Sequence, residues 1–255
     1  MITVLDLGSL HGFSSIWDSL QENIELVGVD PFEPEGVRLG KYGRKEIVFN
    51  CLVGDKDEDN VVFNIAENGH ASSLLEVNEK LVSRFHQYSY GRIIKKENVE
   101  VKEIKKLLEE REVKKFDFLK IDIEGSELKV LKNLEEILRE DCLGIEIECF
   151  FQEYHLGRPL FSDIETYLRS LGYYVFDIAL EKWGRINNPI PYPIDHHGNQ
   201  NGGNAQVMWG NCLFFKDPIN DHDSLTSEQI EKLISLTKIF NQYDFSNELK
   251  TYFNL

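Results

Sequence analysis

Four acids stand where an open α/β sheet does its chemistry, at or beside the carboxyl ends of apolar runs: Asp6, Asp30, Asp122 and Glu148. A carboxylate so placed can accept a hydroxyl hydrogen, act as a general base, or share a hard divalent cation. Asp122 and Glu148 close the runs 116–122 and 143–148, so they are expected to flank one crevice from neighbouring strands. Together they could hold Mg²⁺ or Mn²⁺, with waters and substrate completing the shell. Alternatively Asp122, His155 or His197 takes the proton directly, and salt bridges to Lys120 or Arg158 are the purely structural role for the two acids.

Asp6 belongs to a second pattern, Val4-Leu5-Asp6-Leu7-Gly8-Ser9-Leu10-His11-Gly12, an apolar strand running into a glycine-punctuated turn that opens a helix. Glycines there let a ligand approach backbone that side chains would cover. A dinucleotide fingerprint needs glycine where this chain has Leu10, and a leucine obstructs a diphosphate while Asp6 adds negative charge beside it. The turn therefore suits a ligand with a positive or zwitterionic head, such as S-adenosylmethionine, held by Asp6, Gly8, Ser9 and Gly12, with Asp122 beside the turn as a further cofactor contact. Asp30-Pro31 ends the second strand about 20 residues further on, where a carboxylate accepts both hydroxyls of a ribose. At the exit of the third strand Val53 would wall an adenine and Asp55 could accept from its amine, though a plain turn accounts equally for Asp55; a strand-ending turn is the alternative for Asp30-Pro31, where the glycine turn before it favours the ribose.

A chain of 255 residues, 42% apolar and 28% charged, supports one large domain with a full core. No run of about 18 apolar residues exists to span a membrane. The formal charge of −16 repels polyphosphate backbones and argues against a nucleic-acid partner. The basic doublets Lys95-Lys96, Lys105-Lys106 and Lys114-Lys115 are flanked by acids and read as solvated faces. Cys51, Cys142, Cys149 and Cys212 lie far apart with no C-x-x-C pair, which points to reduced thiols and a cytoplasmic protein. The residues after Met1 enter a strand directly, so no signal peptide is expected, and the abrupt start suggests a domain cut from a larger glycan-building enzyme.

The elements that must position these residues form a doubly wound α/β fold, a mostly parallel sheet with helices on both faces. Strands are expected at 2–7, 24–29, 47–53, 61–65, 98–101, 116–122, 143–148, 173–178 and 208–215, the last pairing antiparallel at the far edge. Helices are expected at 14–21, 75–85, 103–111, along Leu128, Leu131, Leu134 and Leu138, at 161–171 and at 226–240. The segment 61–113 reads as an insertion within a single domain 1–255. The last helix can cap the sheet or mediate a homodimer. Between Trp183 and residue 211 the chain is irregular and carries Tyr192, His196, His197 and Trp209, whose imidazoles and aromatic faces suit a hydroxyl-rich substrate; a plain unstructured connection is the alternative.

The run Asp117-Phe118-Leu119-Lys120-Ile121-Asp122-Ile123-Glu124-Gly125-Ser126-Glu127, with Leu131, resembles the signature of FkbM-type methyltransferases. The glycine turn, Asp30-Pro31, Ser72-Ser73-Leu74, Leu160-Phe161-Ser162-Asp163 and Trp209-Gly210-Asn211-Cys212-Leu213-Phe214 are similar to a branch of the same family. The resemblance covers nearly the whole chain and implies a class I, Rossmann-like methyltransferase fold using S-adenosylmethionine, usually for O-methylation of sugars or small secondary metabolites. On that reading the acceptor is a sugar or glycan hydroxyl, met by Glu124, His155, Trp183, Tyr192, His196 and Trp209. The Asn/Gly/His-rich segment near the end departs from the family pattern and bears on substrate identity.

Three rivals make different demands. A nicotinamide oxidoreductase would share the fold but is disfavoured by Leu10. A base-amine methyltransferase carries an Asn/Asp-Pro-Pro-aromatic turn where this chain has Asp122-Ile123-Glu124-Gly125. A non-catalytic module that binds S-adenosylmethionine and serves as an interaction platform would tolerate Asp122→Ala, and a methyltransferase for a non-sugar metabolite is the remaining alternative.

Overall fold

The computed structural model describes residues 1–187, 205–220 and 225–255. Alternation in β1 (Ile2–Leu7) shows how the layers form: Ile2 and Val4 pack on one face of the sheet, Leu5 and Leu7 on the other. A strand apolar on both sides must be covered by helices on both sides.

The other strands are β2 (Ile24–Val29), β3 (Gly36–Leu39), β4 (Lys45–Phe49), β5 (Leu52–Gly54), β6 (Glu58–Ala66), β7 (Ile93–Glu103), β8 (Phe118–Ile121), β9 (Gly144–Phe150), β10 (Tyr173–Trp183) and β11 (Gln206–Lys216). Eight of them form the main sheet in the order β10-β11-β9-β8-β1-β2-β4-β3, and β5-β7-β6 form a second. The run β9-β8-β1-β2-β4 is parallel throughout. This is the class I, Rossmann-like arrangement.

The strand 208–215 lies one place in from the position its sequence suggests. β11 inserts between β9 and β10, antiparallel to both, and β10 takes the edge. Burial explains the exchange: Cys212 to Phe215 is a continuous buried run, as an interior strand requires, whereas exposure alternates along β10. At the opposite end β3, whose four residues are all exposed, is an antiparallel edge strand that no apolar run announces.

The helices are α1 (Glu79–Val82), α2 (Ile104–Glu110), α3 (Glu127–Asn133), α4 (Glu135–Glu140), α5 (Phe161–Arg169), α6 (Ser227–Ile239) and α7 (Tyr243–Phe253). Helices α2 to α5 bury Leu107, Leu131, Leu138 and Leu168 against one face of the sheet. Trp17, α6 and α7 cover the other, where the Phe118 ring stacks on Phe240 at 4.9 Å.

Four expected elements are altered, each for a local reason. The helix at 14–21 is a 3₁₀ segment, Ser15–Asn23, begun by the Ser14 hydroxyl accepting from the Ile16 N–H. The strand at 47–53 breaks at Phe49, because the Asn50 amide donates to the carbonyls of Pro31 and Glu33 and turns the chain into the second sheet. The helix at 75–85 shrinks to α1: Val77 bridges to His155 and the Asn78 side chain caps the Leu81 N–H, so helix cannot begin earlier. The helix from Leu128 to Leu138 divides at Leu134 (φ −91°, ψ 8°), although Leu131, Leu134 and Leu138 remain on one buried face. No helix among the described residues is long and apolar enough to cross a membrane.

Candidate active site

β1 has β2 on one side and β8 on the other, so the crevice between them lies where chain order reverses. Gly8 closes it with φ +87°, and a Cβ there would stand 1.9 Å from the Asp122 carbonyl oxygen. Its N–H donates to Val29 O at 2.9 Å, and the Asp122 N–H donates to Leu7 O at 2.9 Å, so the turn is clamped to both neighbouring strand ends. Beside it runs a cleft lined by Gly8, Leu10, Asp30, Pro31, Val53 and Phe63, among others. Asp30 is almost fully buried, accepts from the Phe32 N–H at 2.8 Å, and has its carboxyl raised by desolvation.

Other residues singled out around the turn do not line this cleft. Period-two alternation puts Asp6 on the opposite side of β1, in register with Gly28 on β2 and Lys120 on β8, and Lys120 is in turn opposite Glu146. Lys120 Nζ lies 3.3 Å from Asp6 and donates to Gly8 O at 2.9 Å, which props the turn from beneath. Burial pushes the Asp6 carboxyl up to about 6 despite that cation, and raises Glu146 as well. Ser9 is buried with its hydroxyl against Gly28, where a Cβ would come within 2.6 Å. Gly12 (φ +86°) opens on free space, and Asp55 is not among the cleft's lining residues, its backbone carbonyl accepting from Asn133 Nδ2 at 3.1 Å. Lys120 was invisible as a partner because only the β1–β8 register sets it opposite Asp6.

A second cavity of about 500 Å³ opens beyond Asp122. Asp122, Glu124 and His70 line both spaces, so these three residues stand where the two adjoin. Asp122, Glu124 and Glu148 each offer an oxygen within 4.8 Å of the others. Glu148 does not end its strand, since β9 runs on to Phe150, but its side chain still reaches the cavity. Glu124 takes a left-handed conformation (φ +56°), followed by Gly125 (φ +117°), and the Ser73 hydroxyl donates to its carbonyl at 2.5 Å.

One guanidinium serves this acidic group. Arg158 lies 3.3 Å from Glu124, 3.8 Å from Glu127 and 4.0 Å from Glu148, with its plane 3.4 Å from the Phe150 ring centre. Lys120 reaches Asp122 only at 4.0 Å, nearer to Asp6. Both suspected salt bridges thus exist, yet each is the longest its cation makes and neither neutralises its acid. Burial, reinforced by the neighbouring carboxylates, pushes Glu124 up to about 8 and raises Glu148 strongly, against the pull of Arg158. Such a cluster favours protons or a cation between its oxygens.

His155 lies outside the cavity lining and is fully buried. Its Nδ1 is 3.2 Å from Arg158 Nη1; since arginine only donates, Nδ1 is the acceptor and the ring is neutral. Burial and the adjacent guanidinium push it down to about 3, so it orients Arg158 rather than meeting substrate. Trp183 and Trp209, from β10 and β11, do line the cavity, with Phe150, Tyr154, Glu181 and Gln87, four residues that residue spacing does not single out. Tyr192, His196 and His197 lie outside the described residues.

Residues 12–175 match the model of the methyltransferase FkbM domain, well over half of the chain. The chain belongs to the FkbM methyltransferase family. The matched stretch is therefore a methyltransferase domain. The stretch shared with the family includes Asp30, Asp122, Glu124 and Glu148, whereas Gly8, Trp183 and Trp209 fall outside it. Among solved structures, the methyltransferase FkbM from Methylobacillus flagellatus KT is similar at 18% identity and a TM-score of 0.37, covering 84% of this chain and 43% of that one. This FkbM-family chain thus spans less than half of that relative's length. An S-adenosylmethionine-dependent methyltransferase from Methanosarcina mazei is similar at 9% identity and a TM-score of 0.34, covering 84% of this chain and 92% of that one. No curated protein matches the chain. The first cleft fits the cofactor the family implies: a buried carboxylate for a ribose diol and apolar walls for a purine.

Proposed function

We propose that this protein is an O-methyltransferase whose acceptor is a hydroxyl of a sugar or glycan. The observation that carries the reading is the sharing of Asp122 and Glu124 by the two spaces, one suited to S-adenosylmethionine and the other walled by Trp183, Trp209, Phe150 and Tyr154. Bound S-adenosylmethionine supplies an electrophilic methyl group for in-line displacement. Asp30 accepts the ribose hydroxyls, and Pro31, Val53 and Phe63 wall the base. The indole faces stack on the C–H face of a sugar ring, while carboxylates receive its hydroxyl hydrogens. Asp122, at the junction, aligns the reacting hydroxyl and relieves it of its proton, since an unassisted sugar hydroxyl is a poor acid.

Asp122 and Glu148, completed by Glu124, would hold a divalent cation, Mg²⁺ or Mn²⁺, as hard oxygen donors. Its chemistry there would be to lower the pKa of the acceptor hydroxyl. The test is incubation with S-adenosylmethionine, Mg²⁺ and a panel of methyl hexosides and 6-deoxyhexosides, followed by mass spectrometry and NMR. The expected product is a methyl ether formed in step with S-adenosylhomocysteine. Failure with every glycoside overturns the sugar reading. Turnover that survives excess EDTA overturns the cation and leaves Asp122 as the base.

A further inference from the structure

Gln87 is a polar exception in an apolar neighbourhood. Its neighbours in sequence, Val82 and Phe85, belong to a buried cluster with Val77, Tyr154, Trp183 and Met208. Gln87 is itself only 3% exposed, yet neither its amide oxygen nor its amide nitrogen has a hydrogen-bond partner among the described residues. A buried amide in that state is costly to the folded protein unless something else pairs with it. What lies in front of it is the second cavity, which it lines together with Tyr154, Trp183 and Trp209.

The backbone holds the amide there. The 3₁₀ segment His86–Gly91 is stitched to the end of β10, with the His86 N–H donating to Gly184 O at 3.1 Å and Phe85 bridged to Arg185. The Phe85 ring packs edge-on to Trp183 at 5.9 Å, under the Arg185 guanidinium at 4.1 Å. Local exposure alternates, with Phe85 and Gln87 turned inward and His86 and Tyr88 outward. An apolar residue would satisfy this inward position more cheaply, and a carboxylate would only add another acceptor to a cavity that already has Asp122, Glu124, Glu148 and Glu181. An amide both accepts and donates, which matches two neighbouring hydroxyls, one giving its hydrogen and the other receiving one.

We propose that Gln87 is a specificity-determining contact that binds a vicinal pair of hydroxyls on the acceptor. This rests on the sugar reading above. A site that pairs a buried polar group with a substrate hydroxyl discriminates strongly against analogues lacking it.

The experiment compares wild type with Gln87→Met, which keeps length and removes the amide, and with Gln87→Ala should methionine fit poorly. Two readouts are taken: the thermal midpoint without ligands, and S-adenosylhomocysteine release with the glycoside panel and its monodeoxy analogues. For Gln87→Met the midpoint is expected to rise by about 2–4 °C, because a buried unpaired group has gone. KM for the best glycoside is expected to rise about tenfold or more with kcat little changed. The wild type's discrimination against one monodeoxy analogue should shrink to near unity in the variant. A midpoint that falls, or a KM and deoxy discrimination like those of wild type, overturns the role of Gln87 while the sugar reading stands. A wild type inactive on every glycoside overturns both.

Discussion

The cleft beside Gly8 takes its form from strand ends and backbone, whereas the cavity beyond Asp122 takes its form from side chains brought together from separate segments. In the cleft, the Gly8 N–H donates to Val29 O, the Asp122 N–H donates to Leu7 O beside it, and Lys120 donates to Gly8 O from beneath. In the cavity, Gln87, Asp122, Glu148, Trp183 and Trp209 come from five stretches of chain and meet only through the sheet order. The first design tolerates little change in backbone. The second can be retuned one residue at a time, which suits a common cofactor and a variable acceptor.

Substitution at the junction gives the sharpest test of that division. Asp122→Asn should lower kcat by about 10²–10⁴-fold, while S-adenosylmethionine still raises the thermal midpoint nearly as in wild type. Loss of that cofactor shift would show that cleft and cavity are one unit. Gly8→Ala attacks the backbone design itself. Its methyl would meet the Asp122 carbonyl at 1.9 Å in a conformation L-residues avoid, so a loss of about 2–4 kcal/mol is expected in urea unfolding. A stable variant would mean that the turn yields, against the rigid picture.

Asp30→Ala removes a side chain from the cleft without disturbing its backbone. Calorimetric titration should show S-adenosylmethionine binding about 10–100-fold weaker, with stability in the absence of cofactor nearly unchanged. The smallest effect concerns the support of the cavity. Burial pushes the His155 imidazole down from the ordinary 6.5 to about 3, so between those values the unfolded chain binds a proton that the native protein refuses. Its contribution to stability is therefore present above pH 6.5 and is lost as pH falls toward 3, by about 1.4 kcal/mol per unit. In His155→Leu the stability measured at pH 6 and pH 5 should fall by that much less than in wild type. Equal slopes would show that His155 is not held neutral.

Much of the fold was legible because it depends on short-range pattern. Apolar runs mark β1, β2, β8 and β9, and the leucines at 131, 134 and 138 mark one buried face despite the break between α3 and α4. Misplaced pieces are those where a single side chain overrode the pattern, as Asn50 did for the third strand and Asn78 for α1. The site divides in the same way. That Asp30 and Asp122 stand at strand ends was readable from the apolar runs before them. Asp6 was misread as facing the cleft, because residue type says nothing of which side of a strand it takes, and His155 was misread as facing substrate, because its burial depends on Arg158 and Tyr154.

Local chemistry in the chain therefore establishes the class of protein: a glycine turn after an apolar strand, an acid ending the next strand, and the acidic run from Asp117 to Glu127 that places it in its family. The assembled fold decides which acids confront one another, that one arginine must serve three of them, and that Gln87 comes to face the cavity unpaired. The reason is one of range. Turns and strand ends are fixed by neighbours a few residues away, whereas the charge balance and the cavity walls depend on residues from Gln87 to Trp209 that meet only once β8, β9, β10 and β11 have found their order.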